Sequence, residues 1–288
     1  MSKFKIQDSK FKIQKPVYAK KSFGQNFLVD GNYIDKIISA LNPQAGETII
    51  EIGAGRGALT EKLIESGANV IAIELERDMI AVLKENFGRE ENFRLIESDA
   101  LKIDFGELMN PKSKIQNPKS AKLVANLPYY LSTAILQKLI GQRDVFSEVI
   151  LMFQREVVER ITAQVGNSER GFLSVMVQAY LETEKLFDVP PVAFLPAPKV
   201  WSAVVRLTAK PNSAIADERL FREIVSAAFM QKRKTIFNNL KNAAPHLREK
   251  FGDPHQLLEN CRIAPNRRAE TLTIEEWKCL VSSFEFRR

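Results

Sequence analysis

At 288 residues, with 45% hydrophobic and 27% charged side chains, the chain has the makeup of a globular protein, large enough for one sizeable domain and a smaller one. No apolar stretch approaches the roughly 18 residues of a helical membrane span. Two cysteines, Cys261 and Cys279, and two histidines, His246 and His255, form neither a disulfide framework nor a metal knuckle and argue against a histidine-based mechanism; no metal site is expected, and the cysteines are expected to be reduced and packed.

The net charge of +7 is unevenly spread: residues 1–25 carry +6, residues 210–288 carry +5, and the stretch between them is −4. Basic extremities around a mildly acidic middle suit a protein that grips a polyanion, though a solvated charged surface would look the same. The N-terminus lacks the apolar core of a secretory signal, and no arginine precedes Arg56, unlike a transit peptide. A cytoplasmic protein is expected.

Residues 2–7 read Ser-Lys-Phe-Lys-Ile-Gln and repeat at 9–14, so residues 1–20 are predicted to be a flexible basic arm. From about residue 31 helix and strand patterns alternate. Tyr33, Ile34, Ile37, Ile38 and Leu41 lie at helical spacing, ended by Asn42-Pro43. Strands are predicted at 48–52, 69–74, 93–97, 123–125, 149–153 and 202–207, with helices over 59–66, 78–87 and 132–140. Residues 110–120 read as a loop insertion of low information content. This alternation predicts an α/β fold with a parallel, doubly wound sheet. After Lys210-Pro211 strand signals stop, and Leu220 to about Asn242 is predicted as one amphipathic helix. The expected organisation is a sheet domain over 21–209 and a smaller all-helical domain over 210–288.

Two strand ends carry chemistry. The strand 48–52 runs into Gly53-Ala-Gly55-Arg-Gly57, a turn that lets a cofactor approach the backbone, and Glu74 closes the next strand 21 residues after Gly53, where a carboxylate accepts ribose hydroxyls. The third strand ends at Glu97-Ser98-Asp99, where Asp99 can reach an adenine amine. The G-x-G-x-G spacing departs from the dinucleotide form; turn, Glu74 and Asp99 in this order resemble S-adenosylmethionine-dependent methyltransferases. The fourth strand stops at Asn126-Leu127-Pro128-Tyr129. The Asn126 side-chain oxygen and the carbonyl of Leu127 or Pro128 could accept both hydrogens of an adenine N6 amine, pulling the nitrogen toward tetrahedral geometry, while Tyr129 offers a stacking face. Further along, Lys232, Arg233 and Lys234 are expected on a helix, joined by Arg262, Arg267 and Arg268 as phosphate contacts.

Read together, Lys21-Ser-Phe-Gly-Gln-Asn-Phe-Leu28, Ile52-Gly-Ala-Gly-Arg-Gly57, Glu74, Asp99-Ala100, Asn126-Leu-Pro-Tyr129, Gln154-Arg-Glu156, Leu173-Ser-Val175, Phe194-Leu-Pro-Ala-Pro-Lys-Val200, Phe229-Met-Gln-Lys-Arg-Lys234, Asn238-Asn-Leu240 and Arg268-Ala-Glu270 closely resemble the ribosomal RNA adenine N6,N6-dimethyltransferase family, which modifies small-subunit rRNA. The resemblance runs from about 18 to 282. It implies a Rossmann-like methyltransferase sheet, S-adenosylmethionine as cofactor, and dimethylation of two adjacent adenosines near the 3′ end of small-subunit rRNA, in naked RNA or a pre-ribosomal particle; a monomer is expected. It also implies cofactor contacts from Asn26, Leu28, Gly53, Gly55, Glu74, Asp99, Ala100 and Asn126. Asn126 would act at the target base as well, with Phe194, in an exposed proline-rich loop, stacking on it opposite Tyr129. Trp201 stands where the family usually has Asp, and Glu76 replaces the usual Asp two after Glu74. Rival readings are an erythromycin-resistance-type enzyme of large-subunit rRNA, a DNA adenine methyltransferase, and a ribosome-assembly checkpoint or transcription factor.

Overall fold

A computed structural model of the chain describes residues 25–109, 121–211 and 215–283. The expected arm at 1–20 and the expected loop insertion at 110–120 lie outside the described residues. The strands are β1 (Phe27–Leu28), β2 (Thr48–Ile52), β3 (Asn69–Glu74), β4 (Phe93–Glu97), β5 (Ala121–Asn126), β6 (Phe146–Gln154), β7 (Leu181–Val189), β8 (Phe194–Leu195) and β9 (Ser202–Ala209). The helices flanking the sheet are α1 (Gly31–Leu41), α2 (Ala58–Glu65), α3 (Arg77–Phe87), α4 (Phe105–Leu108), α5 (Ser132–Gly141), α6 (Arg155–Thr162) and α7 (Phe172–Tyr180). After them come α8 (Glu218–Ala228), α9 (Ile236–Lys241), α10 (Pro245–Phe251), α11 (Pro254–Asn260) and α12 (Ile274–Ser282).

Seven strands form one sheet in the order β4-β3-β2-β5-β6-β9-β7. The side-chain period of two sorts the β-branched strand residues between two cores. Ile49, Val70 and Ala72 face α1, α2 and α3, while Ile50, Ile52, Ile71 and Ile73 face the side covered by α5, α7 and α8. Both faces are covered, which is why all five residues of β2 are buried, Glu51 among them.

The all-parallel expectation is corrected. β4 to β6 are parallel, but β9 runs antiparallel to β6 and β7 antiparallel to β9, so the sheet is mixed. β7 escapes a sequence reading because it is an edge strand carrying Glu182, Glu184, Lys185 and Asp188, charges that discourage further pairing.

The long helix expected over 220–242 is also corrected: it is two helices with a turn between them. The buried Asn239 side chain donates to the Ala228 carbonyl at 2.7 Å and the Gln231 carbonyl at 3.1 Å, closing the end of α8. The Thr235 hydroxyl then accepts from the Asn238 backbone N–H and opens α9. Cys261 and Cys279, expected to be reduced, are joined in a disulfide with a Cα–Cα distance of 5.8 Å, linking the end of α11 to α12. An 18-residue spacing in sequence carried no sign that the return from α11 to α12 would bring them together.

The last sheet residue is Ala209, and an apolar cluster continues from α7 through Phe221, Ile236, Leu258 and Trp277 of the C-terminal helices. Among the described residues no helix is long and apolar enough to cross a membrane.

Candidate active site

The ends of β4, β3, β2, β5 and β6 and the start of β9 share one rim of the sheet, and the chain's order along it reverses between β2 and β5. β3 and β4 lie to one side of β2, and β5 onward to the other. Ligands of open α/β sheets bind at this reversal, outside the carboxyl ends of the strands.

The glycine turn sits there. Gly53 donates its N–H to the Ile73 carbonyl at 2.9 Å, and a Cβ on it would lie 3.7 Å from the Asn126 carbonyl oxygen, so the ends of β2 and β5 nearly touch. Gly55 has φ +56, and a Cβ there would come within 3.3 Å of the Phe27 ring. The same ring has the Arg56 guanidinium 4.5 Å from its centroid, so β1 lies across the turn like a strap. Phe27 was missed as part of the site; its only sequence signal was its place within the Gln-Asn-Phe-Leu motif.

Glu74 is buried and organises the turn. One carboxylate oxygen accepts from the Gly55 N–H at 2.9 Å, the other from the N–H groups of Leu75 and Glu76, each at 2.9 Å. Glu76, buried, caps α3 through the N–H groups of Asp78 and Met79, a task within reach of either acidic residue. Asp99, at the end of β4, accepts from the Leu101 N–H at 2.9 Å and opens the short turn that begins with Ala100.

Sequence reasoning also passed over Glu51. It is buried within β2 and accepts a 2.6 Å hydrogen bond from the Thr60 hydroxyl of α2. Burial pushes its carboxyl up to about 7; the Thr60 bond pulls it down and the nearby Glu74 adds to the rise.

On the β5 side, Asn126 is half-buried, and its amide nitrogen points at the Asn26 carbonyl over a long 3.5 Å. The amide N–H is thus directed at the backbone and the oxygen is left for a donor. The Pro128 carbonyl already accepts from the Leu131 N–H at 3.0 Å, which singles out Leu127 as the second acceptor. The Leu127 side chain is buried; Tyr129 begins the 3-10 turn Tyr129–Leu131, and its side chain lies outside what is described.

Phe194 is a correction. The expected exposed loop exists over 195–201, but Phe194 itself is only 4% exposed. It belongs to β8, which pairs antiparallel with β1 through Leu28↔Phe194 and Phe27↔Leu195, and it packs in the same core as the buried Leu28. Prolines flag the loop; they do not reveal that its first residue turns inward.

The basic residues divide. Lys232, Arg233, Lys234 and Arg268 are exposed, but the first three stand on the turn between α8 and α9, which corrects the helical expectation. Arg267 is engaged, with its guanidinium bound to the Glu276 carboxylate and to the Thr271 carbonyl. Partial burial pushes the Glu276 carboxyl up, but Arg267 and Thr273 outweigh it and hold the group below its ordinary value. Among the described residues no three His, Cys, Asp or Glu side chains are grouped to hold a metal ion.

A model of the family described as ribosomal RNA adenine dimethylase matches residues 17–279. The chain belongs to the ribosomal RNA adenine dimethylase family. Two similar relatives, both named ribosomal RNA small subunit methyltransferase A, come from Hahella chejuensis and Clostridium botulinum. The first is 44% identical over 77% of this chain and 80% of its own. The second is 41% identical over 89% of this chain and 90% of its own. Among solved structures, a dimethyladenosine transferase from Plasmodium falciparum is 27% identical, with a TM-score of 0.74 over 91% of this chain and 98% of the other. The 23S rRNA methyltransferase ErmE, at 21% identity and a TM-score of 0.65 over 90% of this chain and 100% of the other, shares the fold.

A dimethylase of this family is a methyltransferase and takes its methyl groups from S-adenosylmethionine, and the residues present fit that donor. A narrow glycine turn with no side chains to bar a close approach, a buried carboxylate at the next strand end and a second carboxylate just past the strand after that suit, in order, the amino-acid moiety, a ribose and an adenine.

Proposed function

We propose that this dimethylase converts two adjacent adenosines near the 3′ end of small-subunit rRNA to N6,N6-dimethyladenosine, as a step in ribosome biogenesis. The single observation that carries the reading is the meeting of the glycine turn and Asn126 at the sheet's reversal point, with 3.7 Å between a Cβ on Gly53 and the Asn126 carbonyl oxygen. A methyl donor seated on one strand end then faces an amine held on the next.

The N6 lone pair of adenine is delocalised into its ring and is a weak nucleophile. The Asn126 side-chain oxygen and the Leu127 carbonyl accept its two hydrogens, draw it toward tetrahedral geometry and free the lone pair. S-adenosylmethionine, when bound, would supply an electrophilic sulfonium methyl group, with the thioether S-adenosylhomocysteine as the leaving group. No strong base is needed, because the methylated nitrogen carries an acidic proton that it gives up to water. Pro128 stiffens the turn and Tyr129 stacks on the base. Asn26, Leu28, Gly53, Gly55, Glu74, Asp99 and Ala100 hold the donor. The work is mainly positioning. Extraction of the adenine from its stack costs a few kcal/mol, partly returned by aromatic stacking.

The exposed cations Lys232, Arg233, Lys234 and Arg268 grip RNA phosphates from a helical domain over 210–288, seated on the methyltransferase domain over 21–209. Residues 1–20 act as a basic arm. We infer a monomer working in the cytoplasm on naked rRNA or a pre-ribosomal small subunit.

Incubation with tritiated S-adenosylmethionine and, in parallel, unmethylated small subunits or large-subunit RNA is expected to yield labelled dimethyladenosine from the small subunits alone. Asn126→Ala should lower the rate about 10²–10³-fold, as removal of a reaction-centre hydrogen-bond partner does. Label confined to large-subunit RNA would move the activity to the resistance-type enzymes. Full ribosome maturation in cells carrying only the Asn126→Ala protein would make binding its main task.

A further inference from the structure

The far side of the rim, beyond Asn126, holds an aromatic that the reaction does not use. Trp201 immediately precedes β9 and is 44% exposed. The chain's other tryptophan, Trp277, is fully buried against Phe229, with ring centroids 5.9 Å apart. Trp201 is held in place by its backbone, since its carbonyl accepts from the Arg155 N–H at 2.9 Å. The Arg155 guanidinium lies 5.7 Å from the centre of the indole and is itself steadied by Glu159 at 3.5 Å.

The register locates the indole. Met152 pairs with Asn126, and Gln154 pairs with Ser202, so Trp201 stands two strands across and three positions further out than Asn126. At sheet spacings that is on the order of 14 Å from the amide that holds the target amine. The neighbouring loop residues Leu195 and Val200 are exposed as well, and exposed Lys199 and Arg155 supply positive charge. An exposed indole with a cation against it, on the rim where an RNA base is drawn in, suits the π-face of a second base better than an apolar protein surface.

We propose that Trp201, backed by Arg155, is a stacking shelf for the base that neighbours the adenosine being methylated. The proposal rests on the RNA reading above and adds a specificity-determining subsite to it. The shelf catches the unstacked neighbour while its partner is in the pocket, favours a purine there for its larger face, and leaves the chemistry to Asn126.

The test uses the full chain and a hairpin RNA carrying the two adjacent adenosines, alongside the same RNA made abasic at each neighbour of the target in turn. Binding of the intact RNA is expected to quench indole emission, and one abasic RNA is expected not to. Trp201→Ala should raise KM for intact RNA about tenfold, leave kcat and cofactor affinity unchanged, and have no further effect on that abasic RNA. Trp201→Phe should restore most of the loss. Equal KM for wild type and Trp201→Ala, an equal loss on intact and abasic RNA, or quenching indifferent to the missing base overturns the shelf while leaving the methylation reading intact. If the wild-type protein transfers no methyl group to the RNA, the methylation reading falls and the shelf falls with it.

Discussion

Glu51 and Glu74 lie on neighbouring strands and have different partners. Glu74 accepts three backbone N–H groups, whereas the buried Glu51 accepts from Thr60 and lies near the Glu74 charge. Because the folded Glu51 carboxyl titrates near 7 and an unfolded one near 4.5, the folded state holds the extra proton between those values. Stability is therefore full below about pH 4.5, falls as pH rises toward 7, and levels off above; the loss is about 3 kcal/mol. Glu51→Gln keeps an acceptor for Thr60 and should abolish that slope, so that urea midpoints of variant and wild type diverge from pH 5 to pH 8. Gly57 marks the opposite limit of tolerance. It has φ +84, and a Cβ would sit 2.3 Å from the Phe87 ring, so Gly57→Ala should cost about 2–4 kcal/mol in a urea titration. Phe194→Ala separates two roles: a core residue costs about 3–5 kcal/mol of stability, while a stacking residue raises KM for RNA at unchanged stability. The 4% exposure favours the first outcome. The places of Glu74, Asp99 and Asn126 on the rim were legible in the sequence because Glu74 and Asn126 end their strands and Asp99 lies just past the end of β4. Glu51 was not, since its partner is nine residues on in a helix and its alternating neighbours read only as strand.

Between elements, what was legible depended on whether a boundary is written locally. Strands β2, β3 and β4 were readable to the residue from short apolar-rich runs bounded by turns. The break between α8 and α9 was not, because the side chain that closes α8 comes from Asn239, eleven residues beyond the Ala228 carbonyl it caps. The break changes how the basic residues are understood. Lys232, Arg233 and Lys234 ride an exposed turn, and replacing all three with Ala should leave the melting temperature unchanged while reducing the salt slope of RNA affinity by about 2–3. Arg267 belongs to the scaffold: its backbone carbonyl accepts from the Ile236 N–H at the start of α9 while its guanidinium holds Glu276 of α12. Arg267→Ala should therefore cost about 1–3 kcal/mol of stability, discounted for its partial exposure, and change the salt slope little.

Across the whole molecule, the cysteine pair is the largest departure from the sequence reading. Closing a loop of this length with a disulfide is worth about 3 kcal/mol, so urea unfolding with and without dithiothreitol should differ by about that amount. The sheet was legible as α/β from alternation, but its antiparallel half depends on β7 and β9 meeting across a charged edge, which no local pattern records. The rim they complete has a plain geometric consequence. β2 and β5 are adjacent and hydrogen-bonded, so the strand ends that carry the glycine turn and Asn126 stand one inter-strand spacing apart, about 4.8 Å. That interval is a constant of backbone chemistry, beyond the reach of any loop to alter. On the proposed assignment of donor and amine to these strand ends, the sheet is the ruler of the reaction, and the loops around it can be rewritten for a new RNA without disturbing the measure.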